Sequence, residues 1–358
     1  MDRAEPATAA PTVTARSRLT RRLADIVCLP SSQVSPQERW IVADVLDEIL
    51  RHAAPDLRAR IARRLAEQAE APGGLVRRLA LDVYEVAEPI LQSARALTDF
   101  DLMEVAAKGE GRHRLAIARR ERVSEVVSAT LVSEGDMPEI MALLANPGAR
   151  LASQTMDRLM QRTASEPGLA RVLIKRPELR PAQALTLFWD CAHAERRALL
   201  ERFAVSRSIL QDAAADVFPL AAGEAPRDEL IGRALTYIER RQRNRAAAES
   251  SAYGSLEGVI EEAARVGLAE ELVAEMARLA NVQRSLLDQM LADFGGEPLA
   301  VLTKATGLSR GHLLMLLETA GRGEPAPQQA RYVFDTLSVD KAQTVLRYWN
   351  WSLTRPVA

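Results

Sequence analysis

Three stretches decide how this sequence folds: GGLVRRLALD at residues 73–82, GEGRHRLAIA at 109–118 and NPGARLASQT at 146–155. Each contains or follows a Gly-rich or Pro-Gly turn, and each carries Arg-Leu-Ala, at 78–80, 114–116 and 150–152. The step is 36 residues, and Arg60-Ile61-Ala62 lies half a step before the first copy. A period of this size with room for two short helices implies an α-solenoid of the HEAT or armadillo type. One helix pair cannot bury its own apolar stripe, so it stacks on the next. Leu and Ala at recurring positions form the seam, and Arg78, Arg114 and Arg150 are expected to bond carboxylates or carbonyls of the neighbouring unit.

Reading outward, the same pattern continues on both sides. Ser35-Pro36-Gln37-Glu38 is a capping box with proline in the first helical position. It opens a helix with Ile41, Val42, Val45, Leu46, Ile49 and Leu50 at helical spacing. Pro55 opens another, apolar through Leu57, Ile61 and Leu65 and basic through Arg58, Arg60, Arg63 and Arg64. Breaks at Pro72-Gly73-Gly74, Thr98-Asp99, Gly109, Gly135-Asp136, Asn146-Pro147-Gly148, Pro177, Pro181 and Pro219 then recur every ~15–20 residues, as paired short helices require. Past residue 165 the 36-residue phase decays. Residues 220–227 (AAGEAPRD) are the best domain boundary, followed by a polar helix through Arg240–Arg245 and a small, polar stretch from Ala246 to Gly254. Ser309 and Ser338 are expected helix N-caps near the end. The predicted organisation is a disordered leader at 1–18, a HEAT-like domain at 19–219 and a helical C-terminal domain at 228–358, which either continues the solenoid or folds apart.

Composition agrees with an all-α chain. Aromatic residues are only 4 % of the 358, whereas Ala, Leu, Arg and Glu, all strong helix formers, abound. The 47 basic and 48 acidic residues nearly cancel, which excludes a bulk polycation but not a local basic face. Cys28 and Cys191 make no disulfide framework and no Cys-x-x-Cys site, consistent with a reducing cytoplasm. No run approaches the ~18 apolar residues of a membrane span, and the N-terminus lacks the apolar stretch of a signal peptide.

Several segments in order resemble the alphaproteobacterial domain of unknown function 2336. They are SPQERWIVADVLDEIL, VYEVAEPILQSARALTDFDLMEVAAKG, RHRLAIARRERVSEVVSATLV, IMALLANPGARLASQTMDRL, EPLAVLTKATGLSRGHLLMLL and DKAQTVLRYW, spread over roughly residues 19–350. The resemblance implies a HEAT-like helical repeat. It implies no activity and transfers no functional residues.

No stretch demands catalysis. His52, His113, His193 and His312 are widely spaced, and Cys191 and His193, two apart on a helix, diverge. Gly295-Gly296 and Gly321-Arg322-Gly323 lack a phosphate-loop context, and no Gly-x-Ser-x-Gly elbow occurs. No cofactor is called for, and the chain reads as a non-enzyme. The out-of-phase basic residues Arg58, Arg63, Arg112, His113, Arg119 and Arg120 form the candidate partner-binding surface, the alternative being an ordinary solvated face. Tyr348, Trp349 and Trp351 are expected to seal the last helix pair, since a solenoid end exposes apolar surface; the alternative is a binding anchor. The functional expectation is a cytoplasmic, regulatory scaffold that binds a protein partner. Its rival is nucleic-acid binding, which needs many arginines on one face to contact phosphates.

Overall fold

The computed structural model of the chain describes residues 10–166, 168–206, 228, 231 and 243–352. There are two compact units, residues 1–162 with 176–178, and residues 163–175 with 179–358. All regular elements among the described residues are helical; the one β-type contact is a parallel bridge between Val123 and Ala149.

The N-terminal unit holds α1 (Ala10–Val27), α2 (Pro36–Arg51), α3 (Pro55–Ala66), α4 (Gly73–Ala80), α5 (Tyr84–Ser93), α6 (Asp99–Lys108), α7 (Gly111–Ala118), α8 (Glu125–Glu134), α9 (Met137–Ala145) and α10 (Ser153–Arg162). Helices pack on their second neighbours. One row runs α1, α3, α5, α7, α9; in the other, α2 touches α4, and α6, α8 and α10 follow one another. The two rows meet through sequential neighbours such as α4 on α5 and α6 on α7.

The true step of this array is about 26 residues, which corrects the 36-residue period. Helices α5, α7 and α9 begin at Tyr84, Gly111 and Met137, successive starts 27 and 26 residues apart. The clearest two copies begin at the N-caps Thr98 and Ser124, whose side chains accept the N–H of Asp101 and Val127. They bury Asp101, Leu102, Val105 and Ala106 in one copy and Val127, Ser128, Leu131 and Val132 in the other. They close at Gly109 and Gly135, where a Cβ would stand 2.7 Å from the Val105 carbonyl oxygen and 2.5 Å from that of Leu131. The Arg-Leu-Ala copies are not equivalent. Arg78 lies in the last turn of α4, Arg114 inside α7 and Arg150 in the turn between α9 and α10. Helices of eight to ten residues with short turns make a pair shorter than 36 residues, so that step advances by about three elements instead of two.

Of the expected leader at 1–18, only residues 10–18 are described. Residues 10–18 already belong to α1, which packs on α2 and bonds Thr20 Oγ1 to the Arg16 carbonyl at 2.9 Å; residues 1–9 lie outside the described residues. So do the expected boundary at 220–227 and the polar stretch 240–242.

The C-terminal unit contains α11 (Gly168–Leu173), α12 (Pro181–Leu187) with a 3₁₀ turn at Phe188–Asp190, α13 (His193–Phe203), α14 (Arg245–Glu249), α15 (Leu256–Val266), α16 (Glu270–Ala280), α17 (Arg284–Ala292), α18 (Glu297–Ala305), α19 (Arg310–Thr319), α20 (Ala326–Thr336) and α21 (Val339–Ser352). Helix α18 is its centre. Every residue except Lys304 is buried, and α19, α20 and α21 pack around it, as a helix apolar on all sides requires. Trp349 of α21 is part of this core rather than a seal on an exposed end. It is 1 % exposed, donates Nε1–H to the Leu185 carbonyl at 3.0 Å and lies 4.9 Å from Phe188 and 5.0 Å from Trp189, ring centre to ring centre. Ser309 and Ser338 accept the N–H of His312 and Lys341 at 3.3 Å, as expected of N-caps.

Candidate interaction surfaces

The six candidate binding residues separate into those the fold uses and those it leaves on the surface. Arg58 of α3 makes a two-pronged contact with Asp82, 2.7 and 2.8 Å, and donates to the Ala53 carbonyl at 2.6 Å. His113 of α7 is buried, with Nε2 2.9 Å from the carbonyl oxygen of the same Asp82 and its ring edge-on to Tyr84. Arg120 follows α7 and donates to the carbonyls of Leu91 and Ala94; burial holds its pKa below the ordinary guanidinium value, partly offset by Asp99. Arg112 is exposed but lies over the Tyr84 ring at 4.0 Å and pairs with Glu85 at 3.1 Å. Arg63 and Arg119 are exposed, with no hydrogen bond or ion pair to either guanidinium. The structure therefore brings Arg58 and His113 together around Asp82 as packing, and leaves Arg63 and Arg119 to solvent.

The three expected seam arginines differ in the same way. Arg78 pairs with Asp47, linking α4 to α2. Arg114 donates to the Gly109 carbonyl at 2.8 Å and stands 4.0 Å from Glu139 of α9. Arg150 uses only its backbone, donating N–H to the Val123 carbonyl at 2.9 Å; its side chain is exposed.

The recurring joints fall on residues that the 36-residue reading passed over. Besides Arg120 on the end of α5, Asn146 donates to the Ala118 and Arg120 carbonyls, 2.9 and 2.7 Å. Arg176 does the same to Asn146 and Ala149, 2.8 and 2.6 Å, and holds Glu178 at 2.7 Å. The signal for them was present in the 26-residue spacing of Thr98 with Ser124 and of Gly109 with Gly135.

Among the described residues of the N-terminal unit, two surface features stand out. One is a cleft of about 580 Å³ at the C-terminal ends of α3, α5 and α7, lined by Glu67, Gln92, Arg95, Arg120, Glu121 and Arg122 among others. It carries both signs of charge. The other is a set of exposed apolar side chains. Phe100 and Val126 are 71 % and 51 % exposed and occupy the same position, the second residue, of the packed helices α6 and α8. Trp40, Ile41 and Val45 of α2 are exposed as well.

The C-terminal unit contains a buried charge cluster that no motif announced. Arg196 is fully buried and donates to Asp293 at 2.6 and 2.8 Å, to Glu297 at 2.9 Å and to the Phe188 carbonyl at 3.0 Å. Burial works against its charge, but Asp293 and Glu297 more than offset this and raise its pKa. Asp293 also accepts the N–H of Gly295 and Gly296, 3.0 and 3.1 Å, and Glu297 accepts from His193 Nδ1. A carboxylate-held imidazole can act as a base only beside a group to deprotonate. The thiol two residues away does not serve, because burial pushes Cys191 up to about 12. The cluster clamps α13 to the turn before α18. Among the described residues, no group of three or more His, Cys, Asp or Glu is placed to hold a metal ion. None of their helices is long and apolar enough to cross a membrane.

Compared with known proteins, residues 86–347 match the model of one family, described as an uncharacterised protein conserved in bacteria (DUF2336). The match begins inside α5, so SPQERWIVADVLDEIL at 35–50 lies outside it. No curated protein and no solved structure matches the chain.

Proposed function

The chain belongs to the DUF2336 family of bacterial proteins, and we propose that it is a non-catalytic protein-interaction array, regulatory in role and cytoplasmic, whose N-terminal unit holds a partner protein on the outer sides of α6 and α8. One observation carries this reading: Phe100, 71 % exposed, and Val126, 51 % exposed, recur at equivalent positions of packed helices. Neither contributes to a core. An aromatic ring held on a rigid helix loses little conformational freedom on docking and supplies the kind of contact that dominates interface energy. The mixed charge of the nearby-in-sequence cleft, Glu67 and Glu121 with Arg95 and Arg122, suits a peptide segment that also carries both signs.

Phosphate recognition is the weaker reading. Arg58, His113 and Arg120 are committed to protein oxygens, and the two glutamates would repel a phosphodiester chain. The test is affinity capture from the native cell with wild type and a Phe100→Asp/Val126→Asp variant, checked for unchanged helicity by circular dichroism. A specific protein retained by wild type and lost by the variant is expected. Equal recovery with both would overturn the proposal. Duplex DNA or RNA binding that weakens steeply with salt and with Arg63→Glu/Arg119→Glu would replace it with the nucleic-acid reading.

A further inference from the structure

We propose that the α1–α2 pair is a self-association surface, on which a second copy of this chain docks by a two-fold axis. Helix α2 has two apolar sets. Arg39, Ala43, Leu46 and Leu50 include its buried side, whereas Trp40, Ile41 and Val45 are 69 %, 59 % and 48 % exposed. On α1, which packs on α2, Leu19 is 50 % exposed. Apolar side chains of this size and exposure on adjacent helices mark a surface meant to be covered.

The charges around them say by what. Helix α1 exposes Arg18, Arg21 and Arg22, none with a hydrogen bond or ion pair, and its one acid, Asp25, is held by Arg64 of α3. Helix α2 exposes Glu38, Asp44 and Glu48. Glu38 is occupied by the Ser35 cap and Glu48 by its own helix end, Arg51 and His52. The basic helix and the acidic helix lie side by side, yet no ion pair joins them within the chain. A two-fold axis places α1 of each copy against α2 of the other. It then brings Arg18, Arg21 and Arg22 twice to Asp44 and to Glu48, whose long exposed contacts with Arg51 and His52 at 3.6 and 3.7 Å give way to them, while Trp40, Ile41 and Val45 of one copy meet Leu19 and the same stripe of the other. Such an isologous contact requires one surface to be complementary to itself, which segregation of the two signs onto two neighbouring helices provides. The apolar stripe supplies the affinity. The exposed ion pairs, individually weak and screened by salt, set register and partner choice.

Sedimentation equilibrium of the full chain tests this, with circular dichroism confirming that each variant folds. Wild type at tens of micromolar is expected at twice the 39.3 kDa chain mass. Trp40→Asp/Ile41→Asp is expected at the single mass. The decisive pair is Arg21→Glu/Arg22→Glu, which makes both helices acidic, and Asp44→Arg/Glu48→Arg, which makes both basic. Each alone is expected to be monomeric, and an equimolar mixture is expected to form the heterodimer. A monomeric wild type would overturn the proposal and leave this face to a different protein. So would a dimer unaffected by all three variants, or charge variants that dissociate and do not recombine. The Phe100/Val126 capture experiment reads other residues, so either proposal can fail while the other stands.

Discussion

The joints along the N-terminal array and the joint inside the C-terminal unit both rest on side-chain N–H donors, mostly arginine, but the acceptors differ in kind. Arg120, Asn146 and Arg176 each reach back 26 to 32 residues to carbonyls at the end of a helix two elements earlier. Those carbonyls are the ones a helix leaves without partners, at its negative end. The joint is local and repeated, and its acceptors are neutral carbonyls, joined at Arg176 by the Glu178 carboxylate. Arg196 instead reaches 97 and 101 residues along the chain to two buried carboxylates, an arrangement that occurs once among the described residues. A repeated joint can be weakened at one place and leave its neighbours intact. A single buried ion cluster is all or nothing, because removing one charge strands the others in a medium that solvates them poorly.

That contrast can be broken deliberately, and the largest effect is expected at Arg196. Arg196→Ala leaves the buried Asp293 and Glu297 without their guanidinium, Asp293 keeping only backbone N–H donors and Glu297 only His193 Nδ1. Loss of a buried partner costs about 3–5 kcal/mol, to be read as a fall in the urea midpoint, with amide exchange accelerating first in α13 and the turn before α18. A change of under about 1 kcal/mol would mean that water reaches the cluster and that the contrast is false. Arg176→Ala comes next. It frees carbonyls that adjoin turns and can partly rehydrate, so about 1.5–3 kcal/mol is expected, with faster exchange confined to residues 144–151.

The smallest effect sharpens the comparison through pH. Partial burial pushes the Glu178 carboxyl up, but the Arg176 guanidinium and the N–H groups of Glu178 and Leu151 outweigh it and leave its pKa below the ordinary value. A carboxylate whose pKa is lower folded than unfolded stabilises the fold above the unfolded pKa. That contribution disappears as pH falls through the folded one. The denaturation midpoints of wild type and Glu178→Gln should therefore differ at neutral pH and converge in acid, once the pH lies below the folded-state pKa. Midpoints separated equally at both would place the contribution elsewhere.

Helix content was legible in the sequence because it rests on local spacing. The capping box at Ser35, the proline starts at Pro36 and Pro55, and the caps at Ser309 and Ser338 all occur where they were read. The repeat is legible in kind, but its length is not. Arg-Leu-Ala is a short match in a chain rich in those residues, and it outweighed a fainter signal made of different residues in equivalent roles. Thr98 and Ser124 both cap; Leu131 repeats Val105; Asn146 repeats the bond of Arg120. Physical equivalence tolerates such exchanges, whereas identity of letters does not register them. For the same reason, the candidate basic surface shrank to Arg63, Arg119 and the salt-bridged Arg112. An arginine on a helix face is indistinguishable in sequence from one bonded to a carbonyl two helices away.

By itself, then, the sequence determined that this is an all-helical chain of short stacked helices and that it belongs to a family whose match spans 86–347. Helix starts, stops and apolar faces depend on residues within a few positions of one another. Tertiary structure alone decided which arginines are bonded and which are exposed, that Trp349 is core, and that Arg196, Asp293 and Glu297 meet. Those outcomes depend on which helix lies beside which, and separations of 97 to 164 residues leave no local trace.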